Sequence, residues 1–289
     1  MSELVKVAVD AMGGDNAPGE IVKGAVMAVN EKDNVKVLLF GKEDAIKKEL
    51  EQYTYDKERV EIIPCEEVIE MAEAPVNAIR KKKDSSIVKG MQMTKSGEAD
   101  AFVSAGSTGA VLVGATVLVG RIKGIERAPL APLLPTANGV TLLIDCGANV
   151  DARASHLVQF AQMGSIYMES VMGIPNPRVA LVSNGTEEEK GNALVKETHP
   201  LLKECGNINF IGNIEARDIP LGAADVVVCE AFTGNAILKT YEGVGAVLIK
   251  KIKGSLMTNL KTKIGALLIK AALKETLKDF DVDKYGGAP

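Results

Sequence analysis

Val7-Ala8-Val9-Asp10-Ala11-Met12-Gly13-Gly14-Asp15-Asn16-Ala17-Pro18 carries an apolar run into an acid, through two glycines and on to a proline suited to a helix start. Strand, glycine turn and helix start within a dozen residues bring backbone N–H groups around one point, an arrangement that holds anions. The spacing matches neither the dinucleotide G-x-G-x-x-G nor the P-loop G-x-x-x-x-G-K-[ST]. The turn therefore points to phosphate chemistry outside the two commonest nucleotide motifs.

Working outward, short apolar runs at residues 4–10, 35–41, 60–64, 101–104, 141–146, 178–183, 208–212 and 225–229 read as strands. Most are continuous rather than alternating, as in strands covered on both faces. Helical patterns lie between many of them, at 18–30, 43–51, 86–96, 155–172 and 189–204. This alternation predicts an α/β fold of three layers, a mostly parallel sheet with helices on both faces. In such sheets ligands sit beyond the carboxyl ends of the strands. From about 235 to 280 the pattern is helical only, with Gly254 as the expected break. We expect a helical hairpin projecting from a single α/β domain over 1–289, since no Pro/Gly/Ser-rich linker separates the two parts.

Composition narrows the function. The 289 residues are 46% hydrophobic, enough for a large core. A net charge of -4 argues against general nucleic-acid binding, and the absence of Trp with 4% aromatics argues against base-stacking platforms. Cys65, Cys146, Cys205 and Cys229 form no C-x-x-C, and His156 and His199 are the two histidines, so no metal site is expected. Cys65, Cys146 and Cys229, which end or follow apolar runs, read as buried thiols of a reducing, cytoplasmic compartment. The N-terminus does not resemble a signal peptide, and no run of ~18 apolar residues suggests a spanning helix.

Four glycine-rich turns follow strands: 12–15, 104–110, 145–151 and 232–236. Each is either a structural turn or part of an anion site. If they converge on one sheet edge, the candidate phosphate-binding residues are Asp10, Gly13, Gly14, Gly106, Ser107, Thr108, Gly109, Asn149 and Gly234. The acids Asp10, Asp15, Asp145 and Asp151 serve there either as functional groups or as Asx anchors. Lys190 reads as lying just inside a helix start, where a cation opposes the macrodipole unless an anion compensates. Arg80-Lys81-Lys82-Lys83 is either a solvated face or a landing surface for an acidic partner.

The hairpin holds eight lysines between 250 and 279 against Glu275 and Asp279, with Ile249, Ile252, Leu256, Leu260, Ile264, Leu267 and Leu268 near helical spacing. Such a face suits either the helices of a partner subunit or an anionic membrane surface.

The motifs together resemble the PlsX family, acyl-[acyl-carrier-protein]:phosphate acyltransferases of bacterial phospholipid synthesis. The resemblance is carried by Val9-Asp10-Ala11-Met12-Gly13-Gly14-Asp15, Glu67-Val68-Ile69-Glu70-Met71, Arg80-x-Lys82-Lys83, Ser104-Ala105-Gly106 to Ala110, and Asp145-x-Gly147-Ala148-Asn149-Val150-Asp151. It continues through Lys190-Gly191-Asn192, Gly212-Asn213-Ile214-Glu215, Phe232-x-Gly234-Asn235 and Tyr285-Gly286-Gly287-Ala288. Departures are Ser107 where the family reads Asn, Glu230-Ala231 where it reads Asp-Gly, and Leu181-Val182-Ser183-Asn184-Gly185 for its Asn-Ile-Gly version. Family members also continue past Pro289 into a strand and a His-Gly-Ser-Ser turn, so the C-terminal end of the family is expected to be missing.

The resemblance implies a fold related to phosphotransacetylases and isocitrate/isopropylmalate dehydrogenases. It implies transfer of a long acyl chain from carrier-protein thioester to inorganic phosphate, with no cofactor. Lys190 and Asn235 are then the expected catalytic groups, Arg80, Lys82 and Lys83 the carrier-docking residues, and Lys253, Leu256, Met257, Leu260 and Lys261 the membrane contact. A homodimer peripherally associated with the cytoplasmic membrane is expected. The rival readings are a phosphotransacetylase-like enzyme on short acyl-CoA and a non-catalytic carrier or membrane adaptor.

Overall fold

The computed structural model describes the backbone of residues 4–279 and 287–288, with side chains to residue 274. Tyr285 and Gly286 of the last family motif lie outside the described residues. The chain divides into two compact units, Met1–Gly124 and Ile125–Pro289.

The first unit runs β1 (Val5–Asp10), α1 (Gly19–Glu31), β2 (Val35–Gly41), α2 (Glu43–Leu50), β3 (Val60–Pro64), α3 (Pro75–Lys81), α4 (Ser86–Ser96), β4 (Ala101–Val103) and α5 (Thr108–Gly114). Its sheet has order β3-β2-β1-β4 and every pairing is parallel. Successive residues of β2 point to opposite faces. Val37 and Leu39 meet the α1 stripe Val22, Ala25, Val26, Val29, while Leu38 and Phe40 pack with Cys65 and with Met93 of α4 on the other side. That stripe has i, i+3, i+4, i+7 spacing, so burying it holds α1 to the sheet by roughly 1.5–3 kcal/mol per large side chain.

The second unit runs β5 (Ala131–Thr136), β6 (Gly139–Ile144), α6 (Ala154–Ser170), β7 (Arg178–Ser183), α7 (Ala193–Glu204), β8 (Asn209–Glu215), β9 (Val226–Val228), α8 (Ala231–Leu256), α9 (Leu260–Asp279) and β10 (Gly287–Ala288). Its sheet order is β10-β5-β6-β9-β7-β8. β5 runs antiparallel to β6 and β10, and β6, β9, β7 and β8 are parallel. Leu142, Ile144, Leu181, Val226 and Val228 face α6 and α7. Leu143, Ala180, Val182 and Val227 face Ile219 of a 3-10 turn (Ala216–Leu221) and Ile237 and Leu238 of α8.

The α/β class, the parallel pairings and the helices on both faces agree with the sequence. The expected single sheet does not: the strands form two sheets, one in each unit. Residues 120–130 have neither helix nor strand, and β5 then folds back on β6 through a hairpin at Ala137-Asn138. Periodicity reports which faces a strand buries, not which neighbour it pairs with, so one sheet and two sheets read alike. β5 escapes the sequence reading because Pro132 and Pro135 interrupt its ladder donors. The helix break falls at Met257, not Gly254, because a helical Gly costs only ~1 kcal/mol and α8 runs through it to Leu256. Likewise α8 starts at Ala231 and α7 at Ala193.

One polar clamp ties the starts of β7 and β9 together. Arg178 at the start of β7 forks onto Asp225 just before β9, with N–O distances of 3.1 and 2.9 Å, and its backbone N–H adds a bond of 2.7 Å. Burial alone would raise the Asp225 carboxyl, but the Arg178 guanidinium and amide outweigh it and hold it below the usual carboxylate range. A lowered folded-state value stabilises the fold above the ordinary carboxylate pKa, and that contribution is lost as pH falls through the lowered value. Asp225→Asn is expected to reduce the unfolding free energy by about 1–2 kcal/mol at neutral pH, discounted for the half-exposed Arg178. In urea titrations the gap to wild type should narrow progressively as pH falls below about 4; a gap that stays constant as pH is lowered further would assign the effect to packing instead.

Candidate active site

In the first unit the two glycine turns meet. A Cβ on Gly13 would lie 2.4 Å from Asp10 Oδ2 and 2.7 Å from Gly106 N, so the backbones touch at a distance only glycine permits. Asp10 is 1% exposed and is used internally: Oδ1 accepts the Met12 N–H (3.1 Å) and Oδ2 accepts the Ser104 hydroxyl (2.7 Å), whose oxygen accepts the Gly106 N–H. Gly14 follows at φ 96°. Ser107 caps α5 by accepting the Ala110 N–H (3.4 Å), placing Thr108 and Gly109 at the helix start, where amides lack intrahelical acceptors. Gly13 and Gly106 thus lie against the Asp10 anchor, and the other four candidates of this unit follow them in the same two turns.

In the second unit the other two turns also meet. The Asp145 carboxylate, fully buried, collects five N–H groups: Leu130 (2.9 Å), Gly147 (3.1 Å) and Ala148 (3.1 Å) on Oδ1, and the Asn149 amide (2.8 Å) and side chain (2.7 Å) on Oδ2. The same Asn149 side chain reaches Ala128 O at 2.9 Å. This turn therefore supplies its own anion, and the Asn149 side chain is occupied within the protein. A Cβ on Gly234 would stand 1.9 Å from Asp145 O, so Gly234 is there to let α8 rest on this turn. Glu230 caps α8, accepting the Phe232 and Thr233 N–H groups at 2.5 and 3.1 Å and bonding the Thr233 hydroxyl. Its dihedrals are extended (φ -79°, ψ 162°), so the Glu230-Ala231 departure needs no unusual backbone.

Beyond the carboxyl ends of β7 and β9 lies a pocket of about 530 Å³. Leu181, Val182, Leu194, Val195 and Cys229 give it an apolar floor, and Ser183, Asn184, Asn192, Glu230 and Thr233 give it polar walls. Asn184 accepts the Gly191 N–H (2.8 Å) and Asn192 caps α7 on Val195 N (2.9 Å), which fixes the loop over the opening. The Ser183 hydroxyl is buried and has no hydrogen-bond partner among the described residues. Leaving such a group unsatisfied costs about 1–3 kcal/mol, which a ligand acceptor or donor would recover.

Lys190 stands next to this wall, two residues before the α7 cap and not inside the helix, so it does not oppose the macrodipole as the sequence suggests. It is exposed, its stem lies over Gly185, and it makes no ion pair among the described residues. Asn235 is exposed on the first turns of α8, beyond Thr233. Sequence reasoning misses Ser183, Thr233 and Glu230; the signal available was that Ser183 ends a buried strand.

The basic cluster at 80–83 is uneven. Lys82 is engaged by Glu73 and by Val68 O (2.6 Å), and Lys83 bonds Ile79 O (3.1 Å), while Arg80 remains exposed. In the hairpin, Lys253, Met257, Leu260 and Lys261 are exposed and Leu256 is half-buried around the turn between α8 and α9.

The fold is similar to that of solved phosphotransacetylases. A phosphotransacetylase from Streptococcus pyogenes superposes with TM-score 0.62 at 18% identity, covering 85% of this chain and 83% of its own. The EutD phosphotransacetylase from Staphylococcus aureus gives 0.61 at 20% identity, over 84% and 83%. Sequence goes further than fold. Residues 5–289 match the family model described as fatty acid synthesis protein, and the chain belongs to that family. It is 50% identical over 284 residues to a phosphate acyltransferase of Clostridium novyi, covering 98% of this chain and 85% of the relative. A phosphate acyltransferase of Clostridium botulinum is 51% identical over 283 residues, covering 98% and 84%.

Cys229 lines the pocket, yet burial and then neighbouring Cys146 push its thiol well above the ordinary range. Burial likewise pushes Cys146 up, and Cys65 up to about 11. Protonated thiols are poor nucleophiles. Alkylation at pH 8 with peptide mapping should modify the half-buried Cys205 first, and Cys65, Cys146 and Cys229 only after unfolding. Rapid labelling of Cys229 in the native protein would restore it as a reactive group.

Proposed function

We infer that this chain is an acyltransferase that moves a fatty acyl group from a thioester to inorganic phosphate, giving acyl phosphate and free thiol. Family membership and relatives named phosphate acyltransferase support the reaction class. The observation that carries the site is the second-unit pocket, with the unpartnered Ser183 hydroxyl in its wall and the exposed Lys190 next in sequence to its lining residue Gly191. Phosphate is already ionised at neutral pH, so the nucleophile needs positioning more than deprotonation. The carbonyl needs donors aimed at the oxyanion that forms.

The roles divide accordingly. Lys190 neutralises phosphate charge and stabilises the oxyanion, with Asn235 as a second donor. The amides of Gly13, Gly14, Gly106, Ser107, Thr108 and Gly109 contact anionic substrate groups, with Asp10 shaping their turn. Asn149 and Gly234 act by positioning, one through Asp145 and the other by seating α8. The test is incubation with acyl-carrier-protein thioester, with and without phosphate, following thiol release and trapping acyl phosphate with hydroxylamine. Phosphate-independent release, or none, would overturn the reading. Lys190→Ala should cut kcat by about 10²–10³ with the unfolding transition unchanged. Near-normal turnover would remove Lys190 from the mechanism.

The acyl donor is a long-chain thioester on an acidic carrier protein, which docks on Arg80 and Lys83 and the surrounding basic surface, Lys82 being held by Glu73. The exposed tip at Lys253, Leu256, Met257, Leu260 and Lys261 rests on an anionic cytoplasmic membrane surface, and the hairpin stems pair in a homodimer. No helix among the described residues is long and apolar enough to cross a membrane. Screening weakens exposed charge pairs, so KM for the carrier thioester should rise several-fold between 50 and 300 mM salt. A KM independent of salt would exclude electrostatic docking.

A further inference from the structure

We propose that the groove between α8 and the 3-10 turn Ala216–Leu221 holds the acyl chain of the substrate. This rests on the acyl-transfer reading above and assigns a site that reading leaves open. The groove encloses about 670 Å³. Its α8 wall is Ala236, Ile237, Thr240, Tyr241, Val244, Gly245 and Leu248, a single helical stripe, and Ala216, Arg217 and Pro220 form the opposite side.

Three features select a fatty chain as the occupant. The first is continuity. Thr233, on the first turn of α8, lines the polar pocket, and Ala236 begins the groove one turn later on the same helix. A thioester carbonyl at the pocket therefore directs its chain along α8. The second is length. The stripe from Ala236 to Leu248 extends about 18 Å at ~1.5 Å per residue. A bilayer's hydrocarbon core of ~30 Å is two chains deep, so one long acyl chain spans about 15 Å. The third is chemistry. The lining is mostly apolar, with Thr240 and Arg217 its polar side chains, and the Tyr241 hydroxyl is turned away onto Pro135 O. The volume lies within the range of small-ligand sites. Val247, Ile249 and Ile252, also exposed on α8, do not line this groove and remain for contact with a second copy or a membrane.

Gly245 gives a clean test. A Cβ there meets nothing within 4 Å, so a larger side chain enters the groove without displacing protein. A helical Gly replaced by Leu also gains helix propensity, so the variant should fold at least as well as wild type. Gly245→Leu, and independently Val244→Phe, should lower kcat/KM for the hexadecanoyl carrier thioester at least ten-fold and change it less than two-fold for the butanoyl thioester. Binding is measured in parallel by calorimetry with unreactive hexadecyl and butyl thioethers of pantetheine. Kd should rise at least ten-fold for the hexadecyl compound alone.

Equal losses for both chain lengths, or no loss for either, would overturn the groove. So would a change in mass by light scattering with no chain-length effect, which would make this face a contact between copies. Absence of phosphate-dependent turnover in wild type would refute the acyl-transfer reading by itself. The binding measurements would still decide the groove.

Discussion

The Asp145 carboxylate and its five N–H donors are the point on which the second unit's site depends. A buried carboxylate is tolerated only when its oxygens are satisfied, and here the turn after β6 wraps around it to do so. That wrapping fixes where the Asp145 and Asn149 carbonyls stand. α8 is then seated on them, through the Ala231 N–H on Asn149 O and the bare Gly234 on Asp145 O. The direction of α8 in turn sets the pocket wall at Thr233 and the groove beyond it. A side chain at Gly234 would lift the helix from this seat, so geometry at one strand end propagates along the whole of α8.

A smaller version of this device stands in the first unit, where Asp10 accepts the Met12 amide of its own turn and anchors the neighbouring one through Ser104. Glycine-rich turns after strands are commonly read as donors awaiting a phosphate. Here several donors belong to carboxylates of the protein. What remains for external groups is different in kind: in the first unit the helix-start amides at Thr108 and Gly109, and in the second the Ser183 hydroxyl and the Lys190 ammonium. In each unit, internal carboxylates thus hold the backbone and leave other groups unspent.

Acyl transfer to phosphate joins a highly polar nucleophile to a highly apolar donor. The second unit offers surfaces of both kinds on one helix, polar at the first turn of α8 and aliphatic over the next three. The cations are also sorted by environment. Lys82 is compensated by Glu73 and contributes little net field, whereas Arg80 and Lys190 face solvent without an ion pair among the described residues.

Much of this architecture was legible in the residues themselves. Runs such as Val35–Gly41 and Arg178–Ser183 are apolar at successive positions, so they had to be covered on both faces, and the stripe of α1 had to meet one of them. Motif order likewise placed Asp10, Gly106, Asp145 and Gly234 at strand ends. The division into two sheets was not legible, because strand pairing is a choice among equally apolar neighbours. Nor was the occupancy of Asp10, Asn149 and Lys82, since an acid, an amide or a lysine has the same letter whether its partner is a substrate or the protein's own backbone. Local chemistry determined the α/β class and the reaction family. Only the folded chain decided which polar groups are already satisfied and which are left for a ligand, because hydrogen-bond satisfaction belongs to residues far apart in sequence and adjacent in space.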